Sequence, residues 1–142
     1  MKLKLGYPDK QAERELLEMD TERDKVEAVQ QCLSAAEIAA FRKKSSEVTA
    51  SDALLDYVQR LIAFTRGRNE FHFGLSPRGS LSVMRAAKTW ALMCGRNHVV
   101  PEDVQTILPA VVEHRLRAAT DEDGHTGASL VQRLLNEVDV IN

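Results

Sequence analysis

The sequence predicts an all-α fold, a small helical bundle of about six or seven helices. Three observations lead to this prediction. Ala, Leu, Glu and Arg, which favour helices, are plentiful, while aromatic residues make up only 5% of the chain. Apolar residues recur at helical spacing along most of the sequence. Ser, Pro and Gly stand where these stretches begin and end, as helix caps require.

The N-terminus has the pattern of a strand. Residues 2–7 alternate polar and apolar side chains and then reach a turn. Because one strand cannot stand alone in a helical chain, we expect residues 1–7 to be the end of a sheet that belongs to an upstream domain. Residues 8–142 then form one helical domain, and residues 1–7 fray without their sheet.

Two helices are predicted in the first third of the chain. The first begins at Pro8 and runs to about Asp20, and the charged residues 20–28 form a loop. The apolar stripe of this helix is Ala12, Leu16 and Met19, broadened by Leu17. Ser34 and Glu37 have the spacing of a capping box, which opens the second helix. Its predicted inward side chains are Ile38, Phe41 and Val48.

The third helix is predicted to begin within residues 49–52 and to end at Gly67. Its predicted inward stripe is Leu54, Leu55, Val58, Leu61, Ile62 and Thr65. A short extended stretch follows at Phe71–Phe73. We expect this stretch to form an extended pair with the chain near Val48.

The fourth helix begins in the segment Gly74–Ser80. Ser76 can cap it through the hydroxyl, Pro77 suits the first helical position, and Arg78 follows in the first turn. Gly95 ends the helix. The predicted buried side consists of Leu81, Met84, Ala87, Trp90, Ala91 and Met93.

The last third of the chain is also predicted to be helical. Pro109 divides the first stretch into two pieces, about 101–107 and 109–118, because its ring clashes with the preceding turn. Residues 119–127 are polar and form a linker. A final amphipathic helix spans Ala128–Val138.

Charge is unevenly distributed along the chain. The whole chain has a net charge of −2, with 19 Lys and Arg against 21 Asp and Glu. Residues 60–98, the basic island, hold seven Lys or Arg and one Asp or Glu, which gives a local net charge of +6. Six of the seven are Arg, whose planar guanidinium suits bidentate contact with phosphate. The island therefore favours an anionic ligand.

Arg78 is the candidate binding residue within the island. It lies near a helix N-terminus, where the dipole and free backbone N–H groups favour phosphate or carboxylate. Arg85, two turns further on, can share the same exposed face. The segment is not a phosphate-binding P-loop, because the Lys is absent and Pro77 removes an amide. The sequence predicts no metal site and no catalytic residue.

Other features indicate the setting of the chain. Cys32 and Cys94 are isolated in sequence, which predicts two packed, reduced thiols and a cytoplasmic protein. The N-terminus lacks the apolar segment of a signal peptide, and no stretch approaches the ~18 apolar residues of a membrane span. We expect His114 to be packed, with its ring hydrogen-bonded to the backbone.

Several segments spread over the chain match one family pattern. They are Leu3–Asp9, Asp56-Tyr57 with Leu61 and Thr65-Arg66, Gly74–Arg78, Ala86–Lys88 with Ala91-Leu92, Gly95-Arg96, Val100–Val104, and Glu113–Leu116. Together they resemble the C-terminal lid domain of a MoxR-type AAA+ ATPase, whose motif GASPR carries the sensor 2 arginine. Leu75 and Gly79 depart from this pattern, since the family has Ala at both positions.

The resemblance implies that this chain is the lid of a longer protein whose upstream core domain holds the Walker motifs. Arg78, with Ser76 and Pro77 beside it, would approach the phosphates of Mg-ATP bound at that core, and Arg85 would contribute more weakly. The isolated chain would neither bind ATP tightly nor hydrolyse it. The resemblance also implies a homo-hexameric ring, chaperone-like remodelling, and a partner with a von Willebrand factor A-domain.

Two alternatives remain at this stage. A stand-alone helical nucleic-acid-binding module would explain the basic island and the helix-turn-helix-like spacing at Gly67–Ser80. The negative net charge and the lack of an exposed helix face rich in Arg, Asn and Gln oppose it. An independent enzyme is disfavoured, because the sequence offers no nucleophile–base pair, metal set or paired carboxylates.

Overall fold

The computed structural model describes residues 1–18, 29–68, 71–118 and 127–140. Six helices lie in these ranges, which confirms the predicted all-α bundle. They are α1 (Lys10–Glu18), α2 (Ala35–Glu47), α3 (Asp52–Gly67), α4 (Pro77–Met93), α5 (Pro101–Val112) and α6 (Gly127–Glu137), with strands β1 (Phe71–Phe73) and β2 (Arg117–Ala118). No helix in the described ranges is long and apolar enough to cross a membrane. The predicted loop at 20–28 and nearly all of the predicted linker at 119–127 lie outside them.

Helices α3 to α6 build the hydrophobic core, with α4 and α5 in the most extensive contact. The largest fully buried apolar side chains are Tyr57, Leu108, Leu130 and Leu134, with valines at 83, 104, 111, 112 and 131. Each helix contributes residues three or four positions apart, which is the stripe that an amphipathic helix buries. Burial of this apolar area is the main force that holds the four helices together.

Local caps form where the sequence predicts them. The Ser34 hydroxyl accepts a hydrogen bond from the Glu37 backbone N–H at 3.2 Å, and the Glu37 carboxylate accepts one from the Ser34 N–H at 2.7 Å. Gly95 has a φ of +76°, the left-handed conformation that a glycine adopts most readily after a helix. These motifs involve neighbours in sequence, so the rest of the fold does not alter them.

The predicted buried face of α4 is partly wrong. Ala87 and Ala91 are buried, but Leu81, Trp90 and Met93 are exposed. Val83, which was not predicted, is 1% exposed and lies with Ala87 and Ala91 on one side of the helix. Small side chains on this side let α5 approach closely, so the larger apolar residues of α4 face elsewhere.

Helices α1 and α2 bury fewer apolar side chains than the sequence predicts. No side chain of α1 is buried, and Leu16 is 54% exposed. Of the three residues expected to face inward from the second helix, only Val48 is buried, whereas Ile38 and Phe41 are exposed. Both helices lie at the edge of the bundle, where no further helix in the described ranges covers their apolar sides.

Pro109 does not divide its helix. Helix α5 runs without a break from Pro101 to Val112, and the backbone N–H of Glu113 still bonds to the Pro109 carbonyl at 3.1 Å. Leu108 and Val111, on either side of the proline, are both buried. This core packing outweighs the one backbone hydrogen bond that the proline removes. The chain then turns into β2 instead of continuing as a helix to residue 118.

The strands also differ from expectation. Residues 1–9 form no strand, since the described residues include no neighbouring strand that could complete a ladder with them. The Lys2 N–H nevertheless bonds to the Ala110 carbonyl at 2.7 Å. Strand β1 pairs antiparallel with β2 instead of with the chain near Val48. That region instead forms a single parallel bridge between Thr49 and His98.

Three single-residue expectations are wrong. Cys32 and Cys94 are both free and exposed instead of packed, because Cys32 precedes the edge helix α2 and Cys94 caps the end of α4. His114 is also exposed, and its Nε2 accepts a hydrogen bond from Arg115 Nε at 3.4 Å. Loss of hydration around the ring, together with the charge of Arg115, lowers the pKa of His114.

Candidate functional site

The loop between β1 and α4 carries the predicted site, and α3 fixes it. Thr65, only 1% exposed, accepts a hydrogen bond from the Leu75 N–H at 3.0 Å and donates one to the Ile62 carbonyl at 2.7 Å. Arg66 Nε donates to the Leu75 carbonyl at 2.9 Å. Both backbone groups of Leu75 are therefore held by side chains from the last turns of α3, and this contact positions the residues that follow.

Gly74 makes this close approach possible. A Cβ atom at this position would lie 2.6 Å from the Thr65 carbonyl oxygen and 2.9 Å from the Arg66 Cα, closer than van der Waals contact allows. Any other residue would push the loop away from α3. Glycine is therefore required here by space, not by an unusual backbone conformation.

Helix α4 begins as the sequence predicts. The Ser76 hydroxyl accepts from the Gly79 N–H at 3.2 Å, and the Ser76 carbonyl accepts from the Ser80 N–H at 3.0 Å. Pro77 has no N–H to offer, so the Arg78 N–H is the remaining backbone donor of this first turn. An anion would consequently be held mainly by the Arg78 guanidinium, and the backbone amides contribute less than the sequence alone suggests.

The Arg78 side chain is exposed and has no hydrogen-bond or ion-pair partner among the described residues. Its backbone is nevertheless well fixed, since the loop before it is bonded to α3 and its own carbonyl accepts from the Ser82 hydroxyl at 2.9 Å. The structure thus presents an unpaired cation from a rigid base. Such an arrangement loses little conformational freedom in the backbone when an anion binds.

The arginines of the basic island fall into two groups. Four of them contact the chain itself and two, Arg78 and Arg85, have no side-chain partner in the described ranges. The four are Arg60 on the Val140 carbonyl (3.0 Å), Arg66 on Leu75, Arg68 on Glu137 (3.1 Å), and Arg96 on Asp103. Most of the positive charge thus has an internal role, which reduces the candidate ligand-binding set to Arg78 and Arg85.

Arg96 is bound at the opposite end of α4. Its two terminal nitrogens donate to the two carboxylate oxygens of Asp103 at 2.6 and 2.5 Å. Asp103 is 2% exposed and also accepts from the Val100 N–H at 2.9 Å, at the start of α5. The hydrogen bonds from Arg96 hold the pKa of the Asp103 carboxyl below its ordinary value. This pair joins the end of α4 to the start of α5.

Leu75 and Gly79, which both depart from the family pattern, lie against each other. A Cβ atom at position 79 would lie 2.6 Å from Leu75 Cδ1 and 2.9 Å from its Cγ. Leu75 is buried, so its side chain has little room to move. The larger residue at one position and the smaller residue at the other therefore compensate in volume. The small size of Gly79 thus makes room for the Leu75 side chain.

An open apolar groove lies beside Arg78, between α3 and α4. It has a volume of about 930 Å³. Its lining includes Leu55 and Leu81, which are 40% and 59% exposed, and it reaches Pro77 and Ser80 in the first turn of α4. An exposed apolar surface that adjoins an unpaired cation is typical of a face that another domain covers.

Arg85 lies apart from this groove. It is two turns beyond Arg78, which corresponds to about 10 Å along the helix axis, and it lines a second groove between α2 and α4. The sequence therefore located Arg78, Ser76 and Pro77 correctly at one helix end. Arg78 and Arg85 are both exposed, and seven residues of helix change the side-chain direction by only about 20°, so the two share one face of α4. The sequence did not indicate the positioning role of Thr65, because the contact between Thr65 and Leu75 depends on how α3 meets the loop.

Known proteins resemble this chain in sequence. The AAA lid domain family matches residues 63–134. Chaperone MoxR1 of Mycobacterium tuberculosis is 34% identical over 125 residues, which cover 81% of this chain and 32% of that protein. YeaC of Bacillus subtilis is 26% identical over 141 residues, which cover 98% of this chain and 44% of that protein.

A solved structure has the same fold. A candidate ATPase from Cytophaga hutchinsonii superposes with a TM-score of 0.78 at 24% identity, over 95% of this chain and 44% of that one. The chain thus spans less than half the length of these relatives. None of them supports the nucleic-acid-binding alternative.

Proposed function

We propose that this chain, which belongs to the AAA lid domain family and is the lid of a MoxR-type AAA+ ATPase, responds to bound ATP through Arg78. The observation that carries the proposal is the unpaired Arg78 guanidinium on a loop that Thr65 and Arg66 fix to α3. In the full protein this arrangement contributes to ATP binding and hydrolysis and couples both to movement of the lid.

The proposed mechanism uses this chain as a rigid body. Mg-ATP held by the core domain supplies the phosphoryl group whose transfer drives the cycle. Arg78 donates charge-assisted hydrogen bonds toward the phosphates, and its attraction is strongest where negative charge accumulates. Ser76 and Pro77 set the direction of the first turn, and Arg85 adds positive charge at longer range. Because the loop is bonded to α3, a pull on Arg78 moves α3 and α4 together.

The groove between α3 and α4 supports a docking role for the same face. Leu55 and Leu81 expose apolar surface directly beside the first turn of α4. We propose that the AAA+ core domain covers this groove and so brings its nucleotide close to Arg78. In that arrangement residues 1–7 are the end of the core domain, and residues 8–142 are the lid.

The wider role follows from the relatives. One of them is named a chaperone, and we propose that the full protein remodels or assembles a partner protein, including one with a von Willebrand factor A-domain. We also propose a homo-hexameric ring in the cytoplasm. The chain's own contribution to this activity is the lid movement that Arg78 links to nucleotide state.

An NMR titration tests the role of Arg78. Amide shifts of this chain are followed during addition of Mg-ATP at low salt, for the wild type and for Arg78→Ala. We expect weak binding, with shifts confined to residues 76–85 and lost in the variant, because the isolated lid offers one side of the site. Tight, saturable binding, or binding indifferent to Arg78, would overturn the proposal. Arg60→Ala, which removes an island arginine with an internal partner, is the control.

A further inference from the structure

We propose that the groove between α2 and α4 binds helix α1 of a second copy of this chain. The groove has a volume of about 650 Å³. Its apolar lining is Leu33, Ile38 and Phe41, which are 50%, 42% and 51% exposed. The hydroxyls of Ser45 and Thr89, 2.8 Å apart, link the two walls and fix their separation. The groove is therefore preformed and uncovered within the described part of the chain.

Cations line both walls of this groove. Arg42 lies on α2, and Arg85 and Lys88 lie on α4. Lys88 Nζ approaches the Ser46 carbonyl at 3.4 Å, while Arg42 and Arg85 have no side-chain partner in the ranges that the structure describes. The described lining includes no acidic residue. The surface thus combines an apolar floor with positive sides, which favours an acidic amphipathic helix.

Helix α1 has the matching surface. Ala12 and Leu16 lie one turn apart on its apolar side, and helical geometry places Glu13 and Glu15 on the two flanks of that side. None of its side chains is buried. Its nine residues span about 14 Å and the thirteen of α2 about 20 Å, so α1 is short enough to lie along the groove.

The two surfaces match in length and are complementary in charge. An apolar stripe between carboxylates meets an apolar floor between cations, so burial and electrostatic attraction act in the same direction. When α1 of one copy occupies the groove of a second copy, the groove of the first copy and α1 of the second remain free. Each can make the same contact with a further copy, which is how head-to-tail assemblies form. The inference concerns association without nucleotide, and it does not depend on the proposed role of Arg78.

Sedimentation velocity over a range of concentrations tests the contact. We expect the wild type to self-associate, more strongly at low salt. Leu16→Glu should damage α1, and the double variant Arg85→Glu with Lys88→Glu should damage the groove. Each is expected to raise the dissociation constant at least tenfold. The altered side chains are exposed or half-buried, and circular dichroism checks that the fold is retained.

Two matched controls accompany these variants. Leu17→Glu makes the same substitution at an α1 residue that is 83% exposed and about 100° away from Leu16. Lys43→Glu reverses one charge on α2 outside the groove lining. Both should associate like the wild type.

A mixture of Leu16→Glu with the double variant Arg85→Glu and Lys88→Glu tests whether α1 of a second copy occupies the groove. The mixture should associate, because Leu16→Glu retains a groove and the groove variant retains an intact α1. If each helix docks on its own groove instead, the mixture stays monomeric and the proposal fails. A wild type that is monomeric at every concentration, or association that survives in both damaged variants, would also overturn it.

Discussion

The two ends of helix α4 each carry an arginine, and the structure uses them in opposite ways. Arg78, in the first turn, is exposed and has no side-chain partner among the described residues, while the backbone before it is bonded to α3. Arg96, just beyond the last turn, donates two hydrogen bonds to the buried carboxylate of Asp103. One arginine has a fixed backbone and a free head group, and the other has its head group paired with a carboxylate.

This difference separates binding from stability. A paired guanidinium has already exchanged water for a carboxylate, so it contributes to the fold and has little left to offer a ligand. A free guanidinium contributes little to the fold but keeps its charge and donors for an anion. Both residues are arginines at an end of α4, so the partner within the chain decides the role.

The strongest test of the comparison is Asp103→Asn. The variant keeps the shape of the side chain but removes its charge, and it leaves the Arg96 guanidinium without a counter-ion. We expect the melting temperature to fall by about 5–10 °C, measured by circular dichroism. Glu102→Gln removes a charge from the same helix turn at an exposed site and should change little. Equal melting temperatures for the two variants would show that the Arg96–Asp103 pair does not stabilise the fold.

Low pH should reproduce part of the loss of stability expected for Asp103→Asn. The pKa of Asp103 is lowered in the folded state, so its contribution is complete above the ordinary pKa of about 3.9 and is lost as the pH falls toward the lowered folded value. We expect the free energy of unfolding from urea titrations to decrease below about pH 4, with a smaller slope for Asp103→Asn. Identical slopes would show that another carboxylate governs acid unfolding.

Thr65→Val tests whether the loop of Arg78 is fixed by the contact with α3. The substitution keeps the branched shape and removes the hydroxyl that accepts from the Leu75 N–H. A buried donor without a partner costs about 1–3 kcal/mol, and hydrogen exchange at Leu75 should accelerate. Thr106→Val is the matched control, since its hydroxyl bonds only within α5, to the Glu102 carbonyl. Unchanged protection at Leu75 would contradict the proposed positioning.

The compensation between Leu75 and Gly79 predicts a coupling. Gly79→Ala places a Cβ atom against Leu75, whereas the same change combined with Leu75→Ala restores the residue pair of the family pattern. We expect Gly79→Ala to be less favourable by about 1 kcal/mol when Leu75 is present than when it is Ala. Denaturant unfolding of the four chains gives this difference directly. Additive effects would mean that Leu75 moves aside without cost.

The smallest effect on stability is expected for Arg78→Ala. Because the guanidinium has no partner in the described ranges, its removal should change the melting temperature by less than about 2 °C. The same variant should abolish the Mg-ATP shifts described above. A large loss of stability would mean that Arg78, like Arg96, stabilises the fold.

Local features of the sequence predicted local features of the structure. The caps at Ser34 and Ser76 depend on residues three positions away, and the sequence contains them completely. Arg78 could be located for the same reason, since its position in the first turn follows from Pro77. Composition, apolar periodicity and caps predicted the all-α class, and the resemblance to the lid family indicated the kind of bundle.

Features that depend on tertiary packing were not predictable. The buried face of α4 is decided by the small residues that contact α5, so the larger apolar residues misled the prediction. Pro109 stays within a helix because its neighbours are buried. The role of Thr65 requires knowing that the end of α3 meets a loop ten residues further along the chain.

The pairing of β1 with β2 has a consequence for the order in which the chain acquires its structure. Phe71 pairs with Ala118, 47 positions further on, whereas Thr65 meets Leu75 only ten positions away. Closing the longer loop costs roughly 1 kcal/mol more chain entropy than closing the shorter one. During synthesis, β1 has no partner until residue 118 has left the ribosome. A nascent chain can therefore fix Leu75 against α3 early, but it completes the β1–β2 pair only after α4 and α5 have emerged.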